Sequence, residues 1–243
     1  MNERQSAPAV LEAYLLGRVE FDDLLALQRR LVYEIGGHRS RGVLILCELP
    51  NLITVGRSGS SAHIQYEPAE LATRGWPVRW INRGGGCLLH GPGQLAVIPI
   101  VALDQFGMDL PGFLAALHEV LLVAVREADA QATLRPDESG IWVKDRLLAH
   151  VGVAVHDWVS YFGAAINIDP DLELYRKVQC DGQAEPMTSL ARERRGPVRP
   201  ALIRQRLVEA FAERFGFSRT SLFHHHPALS PITAQNEFAY RSA

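Results

Sequence analysis

One long uncharged segment limits the folds that this chain can adopt. The 20 residues from Gly84 to Leu103 carry no charge, and that length could cross a membrane as a helix. The segment also holds five glycines and two prolines, which disfavour a helix interior. We therefore expect a glycine-rich loop that leads into the strand Gln94–Leu103, and no membrane-spanning segment.

Composition agrees with a globular protein and excludes several classes of partner. Of the 243 residues, 47% are hydrophobic and 21% are charged, and the formal net charge is -2. This balance argues against nucleic acid and an anionic membrane as partners. No signal peptide is evident, and the three cysteines form no C-x-x-C pair, which favours reduced thiols in the cytoplasm. We predict one domain over residues 1–223, followed by a C-terminal tail over residues 224–243.

Hydrophobic periodicity predicts three helices and seven strands. The helices are Asp22–Ile35, with Asp22 as its N-cap, Pro111–Ala130 and Pro200–Gly216. The strands are Val43–Leu49, Leu52–Gly56, Val78–Asn82, Gln94–Leu103, Ile141–Lys144, Leu147–Val155 and Trp158–Ile168. Turn signals after residues 143 and 155 predict an antiparallel meander over residues 141–168. Neighbouring strands with helices before, between and after them favour an α+β fold, in which helices layer a mixed, largely antiparallel sheet.

The glycine-rich segment is the first candidate for chemistry. Arg83 and His90 flank positions without side chains, where backbone N–H groups could approach a carboxyl, carbonyl or phosphate group. The spacing matches neither a P-loop nor a dinucleotide-binding fingerprint. A wide turn that merely needs flexible residues is the alternative.

The three cysteines differ in their surroundings. Cys47 lies within an apolar strand, where an inert core residue is expected. Cys87 lies in the glycine-rich segment and is equally consistent with a nucleophile and with simple packing. Cys180 lies on a polar segment between Lys177 and the turn signal Asp181-Gly182. A thiol near a cation on such a loop can ionise and attack, so Cys180 is a candidate nucleophile, with a chance surface cysteine as the alternative.

Three consecutive histidines, His224 to His226, could suggest a metal site. Side chains at consecutive positions of a regular element cannot all face one ion, and no cysteine or acidic residue is suitably spaced nearby. We interpret them as part of a solvated tail and predict no metal site.

Several motifs resemble the lipoyl(octanoyl) transferases, which are related to the lipoate and biotin protein ligases. The most specific match is R-G-G at Arg83–Gly85 followed by H-G-P-G-Q-L at His90–Leu95. Further matches are Leu27–Leu31, Leu52–Arg57, Gly140–Val143, Gly163–Asn167 and Thr188–Leu190. The resemblance implies the fold of the biotin and lipoate ligase catalytic domains.

The resemblance also implies a two-step acyl transfer. Cys180 is similar in position to the cysteine that takes an octanoyl group from acyl carrier protein. A lysine of a lipoyl domain, in a 2-oxoacid dehydrogenase or the glycine cleavage H protein, then receives this group. Neither a cofactor nor a metal is implied. The implied substrate-binding residues are Arg83, Gly84, Gly85 and His90 near the carbonyl, His150, Val151 and Gly152 near the oxyanion, and Gly163, Ala164 and Ala165 along the acyl chain.

One position departs from the family pattern. The family motif K-I-A-x-[IVL]-G supplies a lysine that lowers the pKa of the cysteine, but this chain has Leu147 there. Lys144, Lys177, His90 and His150 are candidate substitutes, and we favour His90 as the base because the resemblance places its loop beside the thioester. The alternative is a relative that binds acyl groups or acyl carrier without normal transfer. An ATP-dependent lipoate ligase is less favoured, because the resemblance implies that those ligases also rely on a lysine on the equivalent strand.

Overall fold

Two sheets and six α-helices make up the part of the chain that the computed structural model describes, which is residues 9–135, 138–181, 186–194 and 196–229. The strands are β1 (Val10–Arg18), β2 (Arg41–Glu48), β3 (Leu52–Val55), β4 (Val78–Trp80), β5 (Cys87–His90), β6 (Gln94–Ile100), β7 (Thr133–Arg135), β8 (Glu138–Val143), β9 (Arg146–His156), β10 (Val159–Asn167) and β11 (Arg219–Phe223). The helices are α1 (Phe21–Gly37), α2 (Pro68–Arg74), α3 (Leu110–Arg126), α4 (Leu172–Tyr175), α5 (Leu190–Arg194) and α6 (Pro200–Arg214).

The larger sheet has eight strands in the order β11-β1-β2-β6-β10-β9-β8-β7. β1 pairs in parallel with both of its neighbours, whereas every other neighbouring pair in this sheet is antiparallel. This topology confirms the predicted α+β fold with a mixed, largely antiparallel sheet.

Alternating residues of β2 explain why helices cover both faces of this sheet. Leu44 and Leu46 are buried in the cluster that includes α3 and α6, whereas Ile45 is buried in the cluster that includes α1. Full burial of each such side chain contributes about 1.5–3 kcal/mol. The apolar run of β2 therefore specifies a central strand with a helical layer on each side.

The predicted meander is confirmed. β8, β9 and β10 pair as successive antiparallel strands. The turn between β9 and β10 is formed by Asp157 and Trp158, whose φ values are 48° and 66°. Positive φ at both central residues matches the right-handed twist of the strands that such a tight turn connects.

The smaller sheet has the order β4-β3-β5 and contains part of the glycine-rich segment. The prediction of a loop up to Gln94 is therefore wrong for Cys87–His90, which form β5 antiparallel to β3. Glycine is still required in the turn that follows β5. Gly93 has a φ of 81°, and a Cβ there would lie 2.6 Å from the carbonyl carbon of Asp169.

All three predicted helices are present as α1, α3 and α6. The N-cap of α1 is Glu20, so the prediction that Asp22 caps this helix is wrong, and Asp22 lies in its first turn. α3 ends at Arg126, before the predicted end, because the chain turns at Asp129 with a φ of 60°.

Seven strands and helices of the described chain were not among the predicted ones: β1, β5, β7, β11, α2, α4 and α5. The interpretation of the three histidines as solvated holds for His224 and His225, which are exposed, but is wrong for His226. Its side chain is 7% exposed, and its ring centroid lies 4.9 Å from that of Tyr14. Residues 230–243 of the predicted tail lie outside the described residues. Among the helices of the described chain, none combines the length and the apolar character needed to cross a membrane.

Candidate active site

A buried polar network holds the motif His90–Leu95, which begins at the end of β5. His90 Nδ1 lies 3.0 Å from Gln94 Oε1, and His90 Nε2 lies 3.0 Å from Thr54 Oγ1. The Gln94 amide nitrogen donates to the oxygens of Leu89 and Asn167, so Gln94 Oε1 is the atom that accepts from His90. The network thus assigns a neutral His90 with its proton on Nδ1, while the Thr54 hydroxyl donates to Nε2.

These contacts bear on the predicted role of His90 as the base. Burial, together with the positive charge of Arg83, lowers the pKa of His90 to about 3. Its acceptor nitrogen is already occupied by Thr54. His90 therefore lies in the predicted region, but its hydrogen bonds give it a structural role, and the structure brings another histidine to Cys180.

Arg83 joins this network from the glycine-rich loop. Its side chain is 4% exposed, and it donates to the backbone oxygens of Gly84 and Thr54 and to Thr54 Oγ1. Its Nε has no hydrogen-bond partner among the described residues. Arg83 therefore supplies a fixed buried cation at the base of the loop.

The backbone N–H groups of the glycine-rich loop mainly donate hydrogen bonds to other parts of the protein. Gly84 N donates to Val153 O of β9 at 2.8 Å, and Gly86 N donates to the carboxylate of Asp181. The sequence predicts that these N–H groups approach a ligand carboxyl, carbonyl or phosphate. Instead, two of them close on β9 and on a carboxylate of the chain itself.

Cys180, His150 and Asp181 meet beside this loop. One ring nitrogen of His150, the Cys180 sulfur and one Asp181 oxygen all lie within 4.8 Å of one another. His150 Nε2 lies 3.2 Å from Asp181 Oδ1, and the backbone of Cys180 bridges to that of Cys87 in β5. These three side chains contain the donor atoms that zinc prefers in proteins. The expectation that no metal is needed stays a prediction.

The charges of the site favour a neutral thiol and an ionised carboxylate. Burial raises the pKa of Cys180 well above its ordinary value, Asp181 adds to this rise, and Arg83 opposes it. Burial alone would raise the pKa of Asp181, but the hydrogen bonds from His150 and Gly86 outweigh it and lower that pKa to about 2. Burial lowers the pKa of His150, although Asp181 partly offsets this effect.

Neither lysine of the chain replaces the family lysine at Leu147. Leu147 is 5% exposed and packs in the apolar cluster that also contains Cys180. Lys177 pairs with Glu70 at the surface, with 2.8 Å between Nζ and Oε2. Lys144 is exposed in the turn between β8 and β9. The guanidinium of Arg83 supplies a positive charge that acts on Cys180, as the ammonium of the family lysine would.

A narrow cavity lies between α1, β10 and the smaller sheet. Seven of the predicted substrate-binding residues line it: Arg83, His90, His150, Gly152, Gly163, Ala164 and Ala165. Most of its remaining wall is apolar, formed by Phe21, Leu24, Leu49, Ile81, Leu88, Ala96, Ile98 and Phe162. Gly84, Gly85 and Val151 are not part of this lining. Gly163 also has a packing role, because a Cβ there would lie 2.7 Å from Pro99 Cδ of β6.

A larger cleft, of about 1340 Å³, adjoins the narrow cavity. The two share Ile81 and Phe162 as wall residues. The cleft is also lined by Arg29, Arg57 and the 65% exposed side chain of Trp80. Sequence reasoning missed this cleft, because its residues come from α1, the small sheet and the β9–β10 hairpin, and no single segment carries the pattern.

Comparison with solved structures defines the class of fold. A bipartite lipoate protein ligase from Thermoplasma acidophilum, described with its E2 lipoyl domain, has a similar structure with a TM-score of 0.65. The similarity covers 95% of this chain and 91% of that chain, with 15% sequence identity. The chain thus has the fold of the lipoate protein ligases.

Sequence comparison then identifies the family. Residues 21–212 match the model of the lipoyl protein ligase A/B catalytic domain. An octanoyltransferase of Geotalea uraniireducens (strain Rf4) is 33% identical over 204 residues, covering 82% of this chain and 92% of that protein. One from Geobacter metallireducens is 34% identical over 211 residues, covering 85% and 96%. The chain therefore belongs to the lipoyl protein ligase A/B catalytic domain family, and the resemblance to lipoyl(octanoyl) transferases is confirmed.

Proposed function

We propose that the protein is a cytoplasmic octanoyltransferase of protein lipoylation that works through a thioester on Cys180. The octanoyl group would come from octanoyl-acyl carrier protein and pass to a lysine of a lipoyl domain, either of a 2-oxoacid dehydrogenase or of the glycine cleavage H protein. Neither a metal nor a cofactor takes part. The observation that carries the proposal is that a ring nitrogen of His150, which lines the apolar cavity, lies within 4.8 Å of the Cys180 sulfur.

Thiol chemistry suits this transfer. The Cys180 sulfur attacks the thioester carbonyl, so that a new S–C bond forms and the bond to the carrier sulfur breaks. The lysine amine then attacks the octanoyl-Cys180 thioester, and the Cys180 sulfur leaves as the amide forms. We assign the backbone N–H groups of Val151 and Gly152 to the developing oxyanion, with Arg83, Gly84 and Gly85 forming the wall near the carbonyl.

The apolar cavity supports an acyl chain as the substrate. Ala165 of β10 leaves room that a larger side chain would fill, and Phe21 and Leu24 of α1 also line the cavity. A straight alkyl chain can gain transfer free energy along such a wall without hydrogen-bond partners. We assign Gly163, Ala164 and Ala165 to the octanoyl chain.

The larger cleft supports a protein carrier as the donor. Arg29 and Arg57 lie on its wall, and within the described residues neither guanidinium has a carboxylate partner. Two unpaired cations beside an exposed tryptophan suit an acidic protein surface better than a small neutral acyl donor. The Thermoplasma acidophilum structure, described with its E2 lipoyl domain, supports a lipoyl domain as the acceptor.

Intact mass spectrometry tests this function. Incubation with octanoyl-acyl carrier protein should give an octanoyl adduct on the wild-type protein and none on Cys180→Ser. Cys87→Ser is the matched control and should keep the adduct, because the Cys87 thiol donates to Ser60 O at 3.2 Å. Adding a lipoyl domain should then remove the adduct and octanoylate that domain. The proposal fails if no adduct forms at any pH, or if the adduct persists in Cys180→Ser.

The buried Leu147 supports one alternative, a relative that binds octanoyl-acyl carrier protein without transferring the acyl group. Measurable carrier binding with no adduct would favour this alternative, and Leu147→Lys should then give some transfer. Exchange of pyrophosphate into ATP in the presence of octanoate or lipoate would instead indicate a ligase.

A further inference from the structure

The buried Cys180 thiol needs a proton acceptor. Burial and the adjacent carboxylate keep this thiol protonated at neutral pH, and a thiol is a much weaker nucleophile than a thiolate. Attack on a thioester therefore requires a base that removes the proton as the S–C bond forms. In the family that role is implied for a lysine, whose position here is held by the apolar Leu147.

His150 has the geometry of such a base. A ring nitrogen of His150 lies within 4.8 Å of the Cys180 sulfur, and Nε2 lies 3.2 Å from Asp181 Oδ1. An ionised carboxylate only accepts hydrogen bonds, so Nε2 carries the proton and the lone pair resides on Nδ1. No group within the described residues donates to that nitrogen. The imidazole is thus neutral and oriented by a carboxylate, and Nδ1 is the atom to which the thiol proton would pass.

The side of the glycine-rich loop that has no side chains faces His150 and Asp181. A Cβ at Gly85 would lie 2.7 Å from Asp181 Oδ1 and 2.8 Å from His150 Nε2, and Gly85 has a φ of 78°. A Cβ at Gly86 would lie 2.7 Å from Asp181 Cα. The Gly86 amide also donates to the Asp181 carboxylate. The loop therefore both makes room for the His150–Asp181 pair and fixes the carboxylate that orients the ring.

From these contacts we infer that His150, oriented by Asp181, is the general base for Cys180 in place of the family lysine. This inference rests on the proposed octanoyl transfer. In the first step the proton of the Cys180 thiol passes to the His150 imidazole while the sulfur bonds to the acyl carbon. The carrier sulfur leaves and takes that proton. In the second step the imidazole takes a proton from the attacking lysine amine and gives it to the Cys180 sulfur as the amide forms.

The other titratable groups around His150 and Asp181 do not change their protonation state near neutral pH. Arg83 remains a cation, and His90 stays neutral because its pKa is about 3. Burial raises the pKa of Cys87 and that of Tyr175, which both interact with the Cys180 sulfur. A change in acylation rate as the pH falls below neutral therefore reports the protonation of His150, whose pKa is lowered by burial.

Single-turnover acylation of Cys180 as a function of pH tests the inference. Octanoyl-acyl carrier protein and p-nitrophenyl octanoate serve as donors, and intact mass gives the rate. His150→Gln should slow acylation at pH 7 by about 10²–10⁴-fold with either donor, and its rate should rise steadily toward alkaline pH as the thiol ionises unaided. Asp181→Asn keeps a hydrogen-bond acceptor but removes the charge that raises the pKa of His150. Its rate should fall less, and the acid limb of its profile should move to lower pH.

His118→Gln is the matched control, because His118 is also partly buried and hydrogen-bonded, with contacts to Leu114 O and Gly140 N. This control should retain the wild-type rate and profile. If His150→Gln acylates within about threefold of wild type with an unchanged profile, the inference is wrong while the proposed function stands. If wild type forms the octanoyl thioester on Cys180 only with p-nitrophenyl octanoate, with p-nitrophenolate as the leaving group, and if this reaction depends on His150, the inference stands and the carrier assignment fails. Absence of Cys180 acylation with both donors overturns both.

Discussion

His90 should make the stability of the fold depend on pH. The folded protein holds this imidazole neutral with a pKa of about 3, against an ordinary value of 6.5. Because the folded pKa is depressed, the unfolded chain binds more protons between these two values. The free energy of unfolding is therefore at its full value above pH 6.5 and falls as the pH drops toward 3. With these two values, His90 accounts for a loss of about 2 kcal/mol between pH 7 and pH 5.

Urea denaturation of wild type and His90→Gln at pH 7, 6 and 5 measures this contribution. Glutamine keeps a donor and an acceptor toward Thr54 and Gln94 but cannot take up a proton. Other buried groups such as His118 and His150 contribute to both proteins and cancel. The wild type should lose about 2 kcal/mol more than the variant over this range, whatever the difference in their stabilities at pH 7. Equal losses in the two proteins would refute the reasoning.

Three further outcomes follow from the site. Ala165→Ile should fill the narrow cavity and lower kcat/KM for octanoyl donors by about tenfold or more while affecting butanoyl donors less, measured with matched carrier thioesters. Arg57→Glu should raise KM for the acyl carrier roughly tenfold at low salt, and an unchanged KM would argue against the cleft as its docking site. Lys177→Ala removes a surface ion pair with Glu70, so urea unfolding should shift by less than about 1 kcal/mol. A large loss of transferase activity in that variant would instead return Lys177 to the active site.

Local signals in the sequence were enough to predict much of the fold. The helices α1, α3 and α6 follow from apolar spacing, and the meander of β8, β9 and β10 follows from apolar runs joined by short polar turns. β11 could not be found in this way, because its side chains are mostly exposed and its partner strand is parallel. A parallel pair leaves no hairpin turn in the sequence. β1 pairs in parallel on both of its sides and was missed as well.

The sequence predicted which residues form the candidate site, but not the contacts between them. Cys180 and the glycine-rich loop were evident from residue types and from the family motifs. The Asp181-Gly182 dipeptide was interpreted as a turn signal, which concealed the carboxylate that orients His150. His90 is favoured as the base because the family resemblance places its loop beside the thioester, whereas its hydrogen bonds involve Thr54 on another strand. The packing of β9 against the loop determines which histidine lies beside the thiol. No local sequence pattern indicates this packing.

The parallel pairing of β1 with β11 has a consequence for folding during synthesis. Ser218, just before β11, donates to the carbonyl of Ala9 across 209 positions of sequence. Until β11 has left the ribosome, the outer edge of β1 exposes unpaired backbone groups, which can pair with the edges of other chains. The large sheet therefore gains its edge strand only late in translation, and contacts of this separation form slowly. Truncation before residue 219 should yield a protein that aggregates through β1, even though the residues around Cys180 are all present.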